Sequence, residues 1–325
     1  MEALERRCYD AAVLMRDHPP CFKQVHKQKI YEMIISSSYA FEGAVDYARW
    51  ATLPLPDQLE DEGTMQVHPG VFAYGPAEMS GKVAWHMNFA DPYLFCAYGS
   101  SLMAQDELQV AEHPTLGALR EALQAEGVSP TTVAEDGSPT PVTLAGVQRR
   151  CAIDTMPNPG AGRPRGIYGN AFAAAPEADV MAATQLIEPP TVSHILAMAA
   201  PACGYGRYNA EEISEVVQTA YTGYRAAKSE TARLYPEAQE CVIHTGFWGC
   251  GAFGGNRGLM TMLQYLAADC AGVALVFWAF DEDGVAQVES AARDYQEMCQ
   301  TTKQVAELLA RIDVMGFEWG VSDGN

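Results

Sequence analysis

A glycine-rich stretch from His244 to Met260 contains the residue types that bind phosphate groups. It follows a short apolar run, Cys241–His244, and precedes apolar residues at helical spacing. Glycines let the backbone approach an anion, and loop amides and a helix N-terminus can then donate hydrogen bonds to it. A tight strand-to-helix turn without a ligand is the simpler interpretation. Three aromatic side chains favour a nucleotide site, because they are costly on a bare loop: Phe247, Trp248 and Phe253.

Residues 245–255 read TGFWGCGAFGG. This stretch resembles the diphosphate-binding loop TGNWGCGAFGG of the poly(ADP-ribose) glycohydrolases, a branch of the macrodomains, and departs from it at Phe247 alone. The resemblance implies that the loop wraps a diphosphate, that Phe253 orients the distal ribose, and that a side chain on Gly254 would enter the space of the diphosphate. The residues that it assigns to the diphosphate are Gly251, Ala252, Phe253, Gly254 and Gly255.

A second family motif is expected upstream. It begins with a glutamate, runs through a strand into Asp-Phe-Ala-Asn, and closes with Gln-Glu-Glu. The matching positions here are Glu78, Asn88-Phe89-Ala90-Asp91 and Gln105-Asp106-Glu107. With weaker supporting matches, the resemblance covers roughly residues 71–285.

Glu107 is the residue that the resemblance implies as the catalytic acid. Breaking an O-glycosidic ribosyl bond requires a proton on the leaving oxygen and stabilisation of an oxocarbenium-like centre. A carboxylic acid in a partly apolar pocket suits that role if burial and the neighbouring Asp106 raise its pKa. The alternative is that Asp106 and Glu107 merely begin a helix, where acidic residues favour the macrodipole.

The resemblance implies further substrate contacts. Glu78 would accept a hydrogen bond from the adenine amino group, with a solvated loop acid as the alternative. Phe280 would stack on adenine, with plain core packing as the alternative. The remaining substrate-binding residues that the motif implies are Asn88, Asp91 and Gln105.

Departures from the family pattern surround the motif. Phe95-Cys96-Ala97 replaces a glycine triplet and changes the pocket beside the catalytic acid. Asn88 and Asp91 exchange the Asp and Asn of the family. A tyrosine-rich clasp is missing, and its candidate substitutes are Tyr168, Tyr205 and Tyr208.

The elements that must position these residues alternate between strands and helices, which indicates an α/β domain. The patterns predict strands over 83–89, 151–154 and 274–280, and helices over 105–123, 211–227 and 285–309, with another helix near 178–198. Apolar residues at helical spacing predict helices within residues 1–52. We therefore expect a helical N-terminal accessory segment over residues 1–70, followed over residues 71–325 by a macrodomain-like three-layer α/β/α catalytic domain with a mixed sheet.

Charge and composition narrow the class of partner. The formal net charge is −20, which disfavours non-specific binding to nucleic acid and long poly(ADP-ribose). The sequence has no run of 18 apolar residues and no signal-peptide core at its N-terminus, so we expect no membrane association and a cytoplasmic or other intracellular location. The nine cysteines are scattered, as is typical of free thiols. No metal or redox cofactor is implied.

The sequence therefore predicts a glycosidase that cleaves an O-glycosidic ribosyl bond of poly- or mono-ADP-ribose modifications and releases ADP-ribose. Two alternatives remain: a non-catalytic reader of ADP-ribose, and a hydrolase restricted to single ADP-ribosyl units. The sequence does not distinguish between acceptors.

Overall fold

The computed structural model describes residues 1–60 and 63–324. Its strands are β1 (Ala3–Asp10), β2 (Ala44–Trp50), β3 (Met65–His68), β4 (Glu78–Met79), β5 (Lys82–Ala90), β6 (Val142–Ile153), β7 (Thr184–Ala199), β8 (Glu240–Gly246) and β9 (Ala274–Trp278). Its α-helices are α1 (Ala11–Asp17), α2 (Val25–Ile35), α3 (Gln105–Glu112), α4 (Pro114–Ala125), α5 (Ala171–Ala174), α6 (Glu177–Ala183), α7 (Ala210–Leu234), α8 (Arg257–Ala271), α9 (Glu282–Cys299) and α10 (Val305–Val314).

The strands form one mixed sheet in the order β1-β2-β6-β7-β5-β8-β9-β3, with β4 paired to β5 off this path. Pairing is antiparallel from β1 to β7 and parallel from β7 to β3. The carboxyl ends of β5, β8 and β9 therefore meet at one edge of the sheet. In parallel α/β sheets, this edge is where ligand sites form.

Helices cover both faces of the sheet, so the expected α/β three-layer class is confirmed. Side chains alternate along β7, where Leu196 and Met198 pack against α7 and α8, and Ile195 and Ala197 pack against α1 and α4. The strong apolar runs of β5 and β8 are buried on both faces, as expected for central parallel strands. No helix of the described residues is long and apolar enough to cross a membrane.

The prediction of a helical N-terminal accessory segment over residues 1–70 needs correction. Helices α1 and α2 lie there, but β1, β2 and β3 belong to the central sheet. Exposure alternates along β1, as in an edge strand, and Trp50 of β2 donates a side-chain hydrogen bond to Thr143 of β6 at 2.8 Å. Tyr47 and Trp50 are three residues apart and would share a helical face, but in β2 they pack in different clusters. Pairing with β6 therefore decides the conformation of β2 against this helical spacing.

Three other element predictions need correction. The single helix expected over 285–309 is two helices, since α9 ends at Cys299 and α10 begins at Val305. The helix expected near 178–198 is confined to α6, since β7 begins at Thr184 and runs to Ala199. The strand expected over 151–154 is the end of the longer β6. The predicted break near His113 and Pro114 is confirmed, because α3 ends at Glu112 and α4 begins at Pro114.

Candidate active site

A cavity of about 890 Å³ opens at the carboxyl ends of β5, β8 and β9. The N-terminus of α3 forms its acidic wall, and the loop between β8 and α8 forms its glycine-rich wall. The end of β9 and residues 70–74 complete an aromatic wall. Two motifs that lie far apart in the sequence therefore meet around one space, as the resemblance implies.

Gln105 joins α3 to strand β5. Its side-chain oxygen accepts from the Phe89 amide at 2.8 Å, and its side-chain nitrogen donates to the Met87 carbonyl at 2.9 Å. Gln105 also lines the cavity. The same side chain therefore fixes the start of α3 against the sheet and presents the two carboxylates that follow it.

Asp106 and Glu107 are both buried and both line the cavity. Asn88 is fully buried and donates to an Asp106 oxygen at 3.0 Å, so it positions Asp106 and is not part of the cavity wall. Burial and then the charge of Glu107 raise the pKa of Asp106 to about 8. The exchange of Asp for Asn at position 88 thus gives Asp106 a neutral donor in place of a second carboxylate.

Glu107 lies in the first turn of α3 and also faces the cavity, so the two interpretations of this residue are compatible. One carboxylate oxygen accepts from the Ala104 amide at 3.0 Å, which fixes the side chain across the first turn. Burial raises the pKa of Glu107, while the ammonium of Lys27 acts in the opposite direction. Asp91 lines the cavity as well, and its own side chain accepts from the Tyr93 amide at 2.8 Å.

The glycine loop offers a run of successive unused amide donors. Within the described residues, the N–H groups of Gly251, Ala252 and Phe253 meet no hydrogen-bond acceptor, and all three residues line the cavity. Backbone N–H groups are normally paired when they are buried, and successive unpaired N–H groups form an anion-binding concavity. This arrangement is what a diphosphate would complete.

Gly254 and Gly255 shape the loop from behind. Their amides donate to the Gly251 and Gly249 carbonyls at 3.0 and 2.8 Å, and neither residue lines the cavity. Gly254 has a φ of +68°, which favours glycine. A β-carbon on Gly254 would lie 3.1 Å from the Ser322 amide, so the expectation that it would enter the diphosphate space is wrong.

Residues 317–324, the C-terminal strap, cross the glycine loop. Gly320 donates to the Gly254 carbonyl at 2.8 Å, and the Asn170 side chain donates to the Gly324 carbonyl at 2.7 Å. Asp323 lines the cavity, and one of its carboxylate oxygens lies 3.3 Å from the position of a β-carbon on Gly251. A negative charge thus lies beside the unpaired amides.

Phe280 belongs to the cavity and not to the core. Its side chain is 40% exposed, its φ is +61°, and its ring stacks on Phe247 with centroids 6.4 Å apart. The Arg257 guanidinium lies 4.4 Å from the Phe247 ring centroid, at the first residue of α8, and also lines the cavity. A base and a phosphate could therefore be contacted on the same side of the loop.

Glu78 does not reach this cavity. It lies in the exposed hairpin of β4 and β5, where its carboxylate accepts from the Gly81 amide at 3.0 Å. Gly81 has a φ of +78°, and its hydrogen bond with Glu78 stabilises the turn between β4 and β5. The predicted contact between Glu78 and adenine has no geometric support, and the solvated alternative fits the structure.

Sequence reasoning left the clasp tyrosine open, and the fold separates the three candidates. Tyr168 lines the cavity, and burial raises the pKa of its phenol to about 12. Tyr205 is 98% exposed, and Tyr208 stacks on Trp319 at 4.2 Å. The sequence offered no signal for Arg257, Lys27 or Asp323, since their roles depend on contacts between distant segments.

No group of three or more His, Cys, Asp or Glu side chains in the described ranges is arranged to hold a metal ion. The site is built from carboxylates, amides and aromatic rings.

Comparison with known families finds a match over the segment that contains the glycine loop. The family model described as poly(ADP-ribose) glycohydrolase with a macro domain fold matches residues 167–287. Over that range the chain is similar to the poly(ADP-ribose) glycohydrolases. The matched range contains the glycine loop and Phe280, and a glycohydrolase is a glycosidase, the enzyme class that the sequence predicts.

Solved structures with a similar arrangement include glycohydrolases from two bacteria. The enzyme from Thermomonospora curvata bound to the inhibitor ADP-HPD is 15% identical, with a TM-score of 0.44 over 89% of this chain and 84% of that chain. A mutant of the Deinococcus radiodurans enzyme in complex with ADP-ribose is 13% identical, with a TM-score of 0.41 over 90% of this chain and 95% of that chain.

Proposed function

We propose that this protein hydrolyses an O-glycosidic ribosyl bond of an ADP-ribose modification and releases ADP-ribose. The observation that carries the proposal is that three unpaired amides, those of Gly251, Ala252 and Phe253, face the same cavity as the carboxylates of Asp106 and Glu107. A ligand with a diphosphate and a ribose matches both walls. The family match over residues 167–287 supports the same ligand class.

The proposed mechanism begins with the diphosphate on the loop amides and Arg257 beside it. Phe280, whose ring is partly exposed, offers a ring face to the adenine, and the distal ribose then lies toward the N-terminus of α3. Glu107 is buried, and burial raises its pKa, which favours the protonated form that donates to the leaving oxygen. As the bond from the anomeric carbon to that oxygen breaks, the leaving group departs as an alcohol.

Glu107 is then a carboxylate, and it takes a proton from a water molecule that attacks the anomeric carbon. The water supplies the hydroxyl of ADP-ribose, and its proton restores the acid. Asp106, held by Asn88, lies next to Glu107 and is placed to bond the ribose hydroxyls. The chain thus supplies acid, base and orientation from one helix terminus.

We infer a preference for a single or terminal ADP-ribosyl unit. The C-terminal strap covers part of the glycine loop, and the net charge of −20 opposes a polyanion. Among the three tyrosines considered, Tyr168 alone lines the cavity and can substitute for the missing clasp.

The experiment compares wild type with Glu107→Gln on two substrates, poly(ADP-ribose) and mono-ADP-ribosylated protein, with free ADP-ribose as the readout. The amide is nearly isosteric but cannot donate the required proton, so we expect turnover to fall by about 10²–10⁴-fold. Calorimetry should show that ADP-ribose binds both proteins within a few-fold. Binding without turnover in wild type would indicate a reader, and wild-type activity that survives in Glu107→Gln would contradict this mechanism.

A further inference from the structure

The loop that leads into the acidic N-terminus of α3 is held in place by contacts with the N-terminal part of the chain. Residues 91–104, the catalytic loop, connect β5 to α3, and Cys96, Ala97, Leu102 and Ala104 of this loop line the cavity. Phe95 of the replaced glycine triplet is fully buried with a φ of +55°, so the loop is anchored by a side chain that glycine would lack. The second half of the loop, between Phe95 and Glu107, is held by other contacts.

Residues 21–27 supply that anchor. The amides of Lys23 and Gln24 donate to the Gly99 carbonyl at 2.9 and 3.0 Å, and the Cys21 amide donates to the Tyr98 hydroxyl at 2.5 Å. A β-carbon on Gly99 would lie only 2.5 Å from the Cys21 carbonyl oxygen. The two segments are therefore in direct backbone contact.

Lys27 is the buried cation of this contact. Its side chain is 1% exposed, and its ammonium donates to the Tyr98 carbonyl at 2.8 Å and to the Leu102 carbonyl at 2.5 Å. Burial lowers the pKa of Lys27 to about 8, and the charges of Glu107 and Asp106 act to keep it protonated. Burying an ammonium is costly unless hydrogen bonds compensate, and here two backbone carbonyls accept from it.

We propose that Lys27 is a positioning residue for the glycosidic reaction, because its ammonium fixes the catalytic loop through two carbonyls and places a positive charge beside Glu107 and Asp106. The inference rests on the proposed function. It assigns a chemical role to α2, which sequence reasoning treated as part of an accessory segment.

The charge of Lys27 should be visible in the pH dependence of turnover. The charged or titratable groups that act on Glu107 and its neighbour are Asp106, Asp91, Tyr168 and Lys27. Of these, Lys27 is the cation that lowers the pKa of Glu107. An acid must be protonated to act, so activity is lost as the pH rises through the pKa of Glu107. Removal of the ammonium raises that pKa and moves the alkaline limb to higher pH.

The test uses Lys27→Met, Lys27→Arg and the matched control Lys29→Met. Lys29 lies on the same helix, but it is an exposed residue paired with Glu177 at 2.5 Å. We expect Lys27→Met to lower kcat by about 10²-fold through misplacement of the loop, with a smaller change in KM, and to shift the alkaline limb upward. Lys27→Arg should restore the limb, and Lys29→Met should change neither quantity.

Hydrogen exchange of the amides in residues 98–104, measured without substrate, separates this inference from the proposed function. If wild type has no turnover, the proposed function fails, and faster exchange in Lys27→Met but not in Lys29→Met still supports the positioning role. If Lys27→Met does not fold, Lys27→Gln retains one donor for a loop carbonyl and replaces it in both measurements. Unchanged exchange, or an active variant with an unshifted alkaline limb, would overturn the inference.

Discussion

Asp106 and Glu107 are neighbours in the sequence but meet different surroundings. Asp106 receives a hydrogen bond from the buried Asn88 amide, whereas Glu107 is bonded to the Ala104 amide and faces the field of Lys27. Burial raises the pKa of both carboxyls. Different partners for two adjacent acids provide a physical basis for separate roles, one in donating a proton and one in binding hydroxyls.

The pKa of Asp106 predicts how stability depends on pH. Its folded-state pKa of about 8 lies above the unfolded value of 3.8, so the folded protein binds the extra proton between these values. Stability from this group is present at low pH and is lost as the pH rises toward 8, by at most about 1.4 kcal/mol per pH unit. Asp106→Asn cannot ionise, yet it can still accept from Asn88.

We therefore expect Asp106→Asn to gain stability over wild type at pH 8.5 relative to the difference at pH 5, measured by urea unfolding at both values. Asp294→Asn, an exposed position on α9, is the control and should show no such pH dependence. An equal difference at the two pH values would mean that Asp106 is already ionised in the folded protein at pH 5.

At the scale of elements, local patterns predicted the parts that carry the site. The sequence predicts these strands and helices because each buries a regular apolar face. The strands are recognised by their apolar runs (β5, β8 and β9) and the helices by their periodicity (α3, α7 and α8). The N-terminal strands were not predicted, because their conformation depends on the pairing of β2 with β6 and of β1 with β2. Lys27 was not recognisable for a similar reason: a lysine in a helix usually faces water, and only the fold encloses it.

The C-terminal strap is an element whose role depends on one contact. Asp323 lies beside the Gly251 amide region where a diphosphate would bind. Two unit charges about 4 Å apart in water repel by about 1 kcal/mol, which corresponds to roughly a fivefold change in Kd. Asp323→Asn should therefore bind ADP-ribose more tightly than wild type in calorimetry. Asp294→Asn is again the charge-matched control, and weaker binding by Asp323→Asn would show that the carboxylate contacts the ligand favourably.

At the scale of the whole molecule, the N-terminal residues are inseparable from the catalytic half. Strand β2 joins β1 to the sheet, β3 pairs with β9, and Leu14 and Met15 of α1 pack in the core with α4. The N-terminal part of the chain also contacts the catalytic loop, because the Lys27 ammonium donates to the Tyr98 carbonyl. The N-terminal residues therefore share one sheet and one core with the elements that carry the candidate site.

Because the net charge is −20, we expect added salt to speed the association of an anionic ligand, which is the reverse of the usual effect. Most proteins that bind polyanions are basic, and added salt weakens them. Here the long-range field repels the ligand, while the attractive groups, the loop amides and Arg257, act only at close range. The screening length falls from about 30 Å at 0.01 M salt to about 8 Å at 0.15 M, so salt weakens the long-range repulsion more than it weakens the short-range contacts.

We expect the association rate for poly(ADP-ribose), measured by stopped-flow fluorescence, to rise several-fold over this range. The rise should be smaller for single ADP-ribose, which carries only two phosphates. A rate for the polymer that falls with salt would mean that exposed cations at the cavity rim, Arg165 and Arg257, control the encounter in place of the whole-molecule field.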